Sequence, residues 1–415
     1  MKNFKNSGIE WLGEIPKHWE VSKFKYFYRS SMGETILAQD LKDDGIPIYS
    51  ATEDDKFFGR IKNAINILNI NDFVIPARGN SIGAVKIVKE KSTCTQTTIF
   101  SKQFKEMNSY YVYYFLLGYR KFLFEFTQTA IPQITISQVN DNPILYPPLK
   151  EQEQIANFLD EKCEQIANFI EKKEKLINLL KEQKQVLINE TITKGLDKNV
   201  NFKDSGIEWL GEIPQHWEVK RLANFGTFLK GNGISRQDLV EYGEPAILYG
   251  DIYTKYQIKT HFLYSKISKK TLLSTTPICN GDILFSGSGE TKEDIGKSIV
   301  YLGDDNAFAG GDVIIFRQKE NNALFLSYVL NTKYANFCKS INSKGEIIVH
   351  IYASNLKDIK IPLPPLKEQE QIANFLDEKC EKIDLLIEKT EKQIKLIKEY
   401  KTTLINQAVC GRINL

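Results

Sequence analysis

The sequence predicts an α+β chain, in which two related α/β domains are joined by two long antiparallel coiled-coil helices with an internal pseudo-two-fold repeat. Three observations carry that reading. The stretch PPLKEQEQIANFLDEKCE occurs twice without a change, at residues 147–164 and 364–381. A second stretch, FKNSGIEWLGEIPKHWEV at 4–21, returns at 202–219 changed only at Asn6/Asp204 and Lys17/Gln215. Between strap and helix lie two segments, about residues 22–146 and 220–363, that share almost no identity. The boundaries follow: strap and first domain over 1–146, a long helix over 147–197, strap and second domain over 198–363, and a second long helix over 364–415.

The strap comes first. It holds all four tryptophans, Trp11, Trp19, Trp209 and Trp217. Ser-Gly, Gly-Glu and Ile-Pro steps punctuate it, so it reads as an irregular strap whose indoles are pinned against a partner surface. His18 and His216 beside them are read as structural. The two repeats are offset by 198 and 217 residues, which makes the second insert 19 residues longer than the first.

Only a skeleton is common to the inserts. Asp72-Phe73-Val74 followed by Arg78-Gly79 and Ile82-Gly83 parallels Asp282-Ile283-Leu284 followed by Ser288-Gly289 and Ile295-Gly296, a strand opening into a Gly-rich loop. An aromatic helix follows, over 110–126 or 323–337. A last polar turn, 130–133 or 346–350, then leads to the next Pro-Pro pair.

Each Pro-Pro starts a helix, since proline tolerates the first turn and the Glu and Gln behind it suit the positive end of the helix dipole. The apolar stripes have coiled-coil spacing and one shared register. They run through Ile166, Ile170, Ile177, Leu180 and Leu187, and through Ile383, Ile387, Ile394, Ile397 and Leu404. Lys173 and Lys184 interrupt the first, Thr390 and Lys401 the second. About 45 residues would make each helix on the order of 65 Å long, with Gly195 a stop for the first. For matched seams to pack, the second helix must return antiparallel, as in an isologous dimer made within one chain.

Composition bounds the rest. With 415 residues, 42% of them hydrophobic, there is room for two or three packed domains. No apolar run reaches the ~20 residues that span a bilayer, and no signal peptide follows Met1, so the expected place is the cytoplasm. The six cysteines show no CxxC pair, which argues against a zinc site or a disulfide framework. A net charge of +3 would not by itself suggest nucleic acid. Two motifs are set aside. Phe285-Ser286-Gly287-Ser288-Gly289 has the form of a methyltransferase cofactor loop, but no Asn/Asp-Pro-Pro-Tyr/Phe partner exists. Gly296-Lys297-Ser298 ends like a P-loop, yet the required glycine is Thr291.

A constant frame carrying two divergent inserts suits a protein that docks one way while reading two targets. With PPLKEQEQIANFLDEK and SGIEWLGEIPxHWE both duplicated, IPLPPL at 361–366 and GDILFSGSGET at 281–291, the whole chain resembles the specificity subunit of a type I restriction-modification enzyme. The resemblance implies that the inserts are target recognition domains, each reading half of a bipartite site in double-stranded DNA, and that the helices are spacers. It implies a subunit without catalysis or cofactor of its own. Two methyltransferase subunits and further restriction subunits would bind it, and S-adenosylmethionine, ATP and Mg would be theirs. The alternative is a coiled-coil scaffold or adaptor that reads no DNA. Reading is expected from loops: Arg78, Asn80, Ser81 and Gln133 in the first domain, and Ser288, Glu290, Thr291, Lys292 and His350 in the second. Arg suits guanine, Asn and Gln suit adenine, and Glu290 suits cytosine. Lys292 is equally suited to phosphate.

Overall fold

The computed structural model describes residues 3–125, 132–345 and 348–415, so Phe126, Ala130, Ile131, Glu346 and Ile347 of the expected helix and turns lie outside the described residues. The chain forms two units, Met1–Glu174 with Glu391–Leu415, and Lys175–Thr390. Each long helix therefore belongs in part to both units rather than standing apart as a segment of its own. The helices cover Leu149–Lys194 and Leu366–Val409, 46 and 44 residues. The first stops where Gly195 turns to φ +73°, a conformation that costs glycine little.

In the first unit the strap is a hairpin, Phe4–Asn6 against Glu14–Pro16. The strand Glu20–Lys23 then pairs antiparallel with Pro143–Tyr146, the run that enters the first long helix. The insert so begins and ends on one two-stranded ribbon. It contains a four-stranded sheet in the order Tyr28–Met32, Thr98–Gln103, Phe73–Pro76, Lys86–Ile87, and a three-stranded one in the order Gly59–Ile61, Ile46–Tyr49, Thr93–Cys94. Strand Phe73–Pro76 is buried throughout, as a central strand of Val, Ile and Phe requires.

The second unit repeats the plan with more material. Its hairpin is Phe202–Asp204 against Glu212–Pro214, and Glu218–Arg221 pairs with Lys360–Leu363. The insert carries a five-stranded sheet in the order Thr227–Lys230, Val313–Arg317, Ile283–Ser286, Ser298–Tyr301, Lys259–Thr260, and a four-stranded one around Leu239–Ile247. Part of its added length forms the helix Tyr249–Thr254 and the edge strand Lys259–Thr260.

The expected aromatic helices are each broken. The first is Ser109–Gly118 followed by Arg120–Leu123, and the second is Ala323–Val329 followed by Lys333–Ile341. The first ends at Gly118, where a Cβ would meet the Asn406 side chain at 2.4 Å. The glycine lets this helix lie close to the end of the second long helix, where the Tyr111 hydroxyl donates to the Val409 carbonyl at 3.2 Å. The second break has a capping cause: the Thr332 hydroxyl accepts from the Ala335 amide at 3.2 Å and restarts the chain as a new helix.

In each unit one of the buried clusters joins strap, insert and long helix. In the first, Leu12, Ile15 and Trp19 pack with Ile155, Leu159, Ile166 and Leu404. In the second, Leu210, Ile213 and Trp217 pack with Ile188, Ile192, Ile372 and Leu376. Of the expected seam residues, Ile166, Ile177, Ile387, Ile394 and Leu404 are buried, while Ile170, Leu180, Leu187, Ile383 and Ile397 are half-buried. Three of the four polar interruptions have partners within their own units. In the second unit Lys184 Nζ lies 2.6 Å from Asp384, and the Thr390 hydroxyl donates to the Leu386 carbonyl at 2.7 Å. In the first, Lys173 sits over the Phe169 ring.

Candidate nucleic-acid interface

The duplicated frame is joined by one duplicated polar cluster. At the first turn of each long helix a glutamate takes the strap's histidine and tryptophan together. Trp19 Nε1 donates to Glu151 at 2.9 Å, and His18 Nε2 lies 2.7 Å from the other carboxylate oxygen. Trp217 Nε1 donates to Glu368 at 3.1 Å, with His216 Nε2 at 2.8 Å. The neighbouring glutamine ties in the aromatic helix: Gln152 accepts from the Asn108 amide at 2.8 Å, and Gln369 from the Asn322 amide at 2.9 Å. Asn108 and Asn322 are the N-caps of those helices.

This corrects the reading of the tryptophans. Trp19 and Trp217 are fully buried within their own units and have no face left for a partner. Trp11 is half-buried and stacks on Phe122 at 5.3 Å. Trp209, 66% exposed beside Phe337, alone presents most of its indole to solvent.

On that frame each insert presents its Gly-rich loop in the same way, held against its last turn. In the first unit Arg78 pairs with Gln133 as an antiparallel bridge, and the Ile134 amide donates to the Ala77 carbonyl at 3.0 Å. In the second, Ser288–Gly289 pairs with Val349–His350, and Ser288 Oγ lies 2.9 Å from His350 Nδ1. The structure thus brings together Arg78 with Gln133 and Ser288 with His350, residues 55 and 62 positions apart in sequence.

The side chains differ in availability. Arg78, Asn80 and Gln133 are exposed. Ser81 is not: its buried hydroxyl donates to the Ala51 carbonyl at 2.7 Å, so it ties the loop down instead of facing a ligand. In the second unit Ser288 is buried and His350 half-buried, whereas Glu290, Thr291 and Lys292 stand exposed on the outer part of the loop. Thr291 is partly engaged, lying 3.2 Å from Asp294.

Cations that sequence reading missed hold both loops from behind. In the first unit Arg120, from the short helix after the aromatic one, donates through Nε to the Ile82 carbonyl at 2.9 Å. In the second, Lys339, from the corresponding helix, donates to the carbonyls of Gly296 and Leu330, both at 2.8 Å. Lys339 has no exposed surface, and that burial lowers its pKa to about 7. Lys297 donates to the carbonyls of Tyr253 and Tyr256, and burial pushes its pKa down as well. No local pattern marks such residues, because each reaches a loop some 40 positions away. Among the described residues, no three His, Cys, Asp or Glu side chains converge as a metal site would need.

Two like units, each holding a differently furnished loop on an identical frame, define a protein of paired recognition domains. The chain belongs to the family described as type I restriction modification DNA specificity domain, whose model matches twice, over residues 16–186 and 214–396. It is similar to the type I restriction enzyme MjaVIII specificity subunit of Methanocaldococcus jannaschii, at 27% identity over 97% of this chain and 94% of that one. The EcoKI specificity subunit of Escherichia coli is 23% identical over 49% of this chain and 44% of its own length. The fold resembles that of a chain from a study of complex assembly and conformational transition in a type I R-M system, with a TM-score of 0.72, 14% identity and coverage of 96% and 99%. It also resembles the HsdS subunit from Thermoanaerobacter tengcongensis, with a TM-score of 0.53, 15% identity and coverage of 98% and 100%.

Proposed function

We propose that this chain is the DNA-reading specificity subunit of a type I restriction-modification complex, and that each unit reads one half of a bipartite duplex target. One observation carries the reading. The Glu151–His18–Trp19 and Glu368–His216–Trp217 clusters hold two inserts identically, while the loops they present differ in nearly every side chain. A frame kept constant around variable loops fits one mode of assembly and two targets. The role is recognition, with methylation and ATP-dependent cleavage belonging to partner subunits that use S-adenosylmethionine, ATP and Mg.

The finer arrangement follows from the repeat. The long helices pair antiparallel as a coiled coil about a pseudo-two-fold axis, which suits duplex DNA with its own antiparallel strands. They act as the ruler between half-sites about one helical turn, ~34 Å, apart. The duplicated frame binds two methyltransferase subunits, one per repeat, and restriction subunits join them in the cytoplasm. No helix of the described residues is long and apolar enough to cross a membrane. Mapping methylated adenines in cells that carry this chain with its methyltransferase partner tests the proposal. A two-part motif with an unread spacer is expected, and methylation without sequence preference would overturn it.

A further inference from the structure

The first unit carries a groove that the frame does not need. It is open, about 470 Å³ in volume, with residues 51–54 on one wall and 78–81 on the other. Three ties hold the walls in place. Ser81 Oγ donates to the Ala51 carbonyl at 2.7 Å. Lys86, almost wholly buried, donates to the Ser50 carbonyl at 3.1 Å and to Thr52 Oγ1 at 2.7 Å. Arg120 grips Glu53 with both terminal nitrogens while its Nε holds the Ile82 carbonyl, so a single guanidinium spans both walls. These ties consume Ser81, Lys86 and Glu53. They leave Arg78 and Asn80, both exposed and without a side-chain partner among the described residues, across from Asp54, whose carboxylate is held only by the exposed Lys56 at 3.9 Å.

The charge pattern selects what such a groove accepts. Glu53 and Asp55 are paired with Arg120 and Lys89, and Arg78 is the one cation among the groove's lining residues, too few to grip the phosphate backbone that drives non-specific binding. Base edges are different. In the major groove guanine offers two acceptors, O6 and N7, to an arginine fork, and its partner cytosine offers the N4 donor to a carboxylate. An arginine without a side-chain partner on one wall and, on the other, a carboxylate held only at 3.9 Å by an exposed lysine complement the two edges of one G·C pair. We propose that this groove reads a G·C pair in the half-site of the first domain, with Arg78 on guanine, Asp54 on cytosine N4 and Arg120 as the positioning residue. The proposal rests on the reading of the chain as a DNA specificity subunit and adds to it the base pair and the residues.

The experiment maps methylation by the full chain with its methyltransferase partner, for the natural protein and for Arg78→Ala, Arg78→Lys, Asp54→Asn and Arg120→Lys. Arg78→Ala should relax a single G·C position of one half-site, lowering preference there about ten- to hundred-fold and leaving the other half-site as it was. Arg78→Lys should relax the same position, since it keeps the charge but not the fork. Asp54→Asn should weaken discrimination at that position without a change in thermal midpoint, and Arg120→Lys, which gives up the fork on Glu53 and Ile82, should weaken it at the same position while leaving the other half-site as it was. Uniformly reduced methylation across sequences, or full discrimination with Arg78→Lys, would mark a phosphate contact and overturn the proposal. A two-part motif that survives Arg78→Ala intact overturns the groove alone. Absence of any motif with the natural protein overturns the DNA reading, and the groove with it.

Discussion

Lys339 shows how much holding a Gly-rich loop can cost its domain. An ammonium with no exposed surface and only carbonyl partners is held at a pKa of about 7, against an ordinary 10.5 for an exposed lysine. Between those values the unfolded chain holds a proton that the folded one has lost, so stability rises with pH. The penalty of burying the charge is complete below about pH 7 and is relieved toward 10.5. Replacing it with methionine removes the linkage. The unfolding free energy of the natural protein should therefore gain on that of Lys339→Met from neutral to mildly alkaline buffer, by at most about 1.4 kcal/mol per pH unit. Urea titrations at two pH values check this, and an equal pH response of the two proteins would contradict it. In the frame, Trp19 and Trp217 each donate to a glutamate that also meets a histidine. Their pairing was legible only as repetition. The strap and the helix recur together in the sequence, but no local pattern shows that Glu151 reaches Trp19.

Strands opening into Gly-rich loops were readable because alternation of apolar runs with Gly is a local signal, and the stop at Gly195 was readable for the same reason. The broken aromatic helices were not. Gly118 looks like a weak helix residue until Asn406 is seen beside it, and Arg120 looks like a surface cation until Ile82 and Glu53 are. The loops themselves separate two kinds of glycine. Gly79 and Gly83 have φ of +81° and +71°, but a Cβ on Gly79 meets nothing within 4 Å while one on Gly83 meets Phe124 at 2.5 Å. Gly79→Ala should cost only backbone strain, roughly 1 kcal/mol. Gly83→Ala adds a clash with a buried ring and should cost clearly more, on the order of 2–4 kcal/mol. Thermal unfolding of the two variants compares them directly, and equal losses would mean that the Phe124 contact is not as drawn.

The two units share one plan, and the second departs from it where its insert is longer, at the helix Tyr249–Thr254 and the strand Lys259–Thr260. If the paired long helices are the ruler between half-sites, a heptad inserted after Leu180 and after Ile397 keeps each apolar seam in register and lengthens the frame by roughly 10 Å. The half-site bases should then stay as they are while the unread spacer grows by about three base pairs, at 3.4 Å per step. Affinity should fall, since three base pairs also rotate one half-site by about a third of a turn. Unchanged spacing at normal efficiency would move the ruler elsewhere, to the way methyltransferase subunits clamp the duplex. Two readers carried independently by one frame can be tested by a single measurement. Residues 22–146, which begin and end on the ribbon of Glu20–Lys23 and Pro143–Tyr146, are exchanged for the corresponding domain of another specificity subunit, and methylated adenines are mapped genome-wide. One half of the two-part motif should change and the other should remain base for base; alteration of both halves would contradict the account.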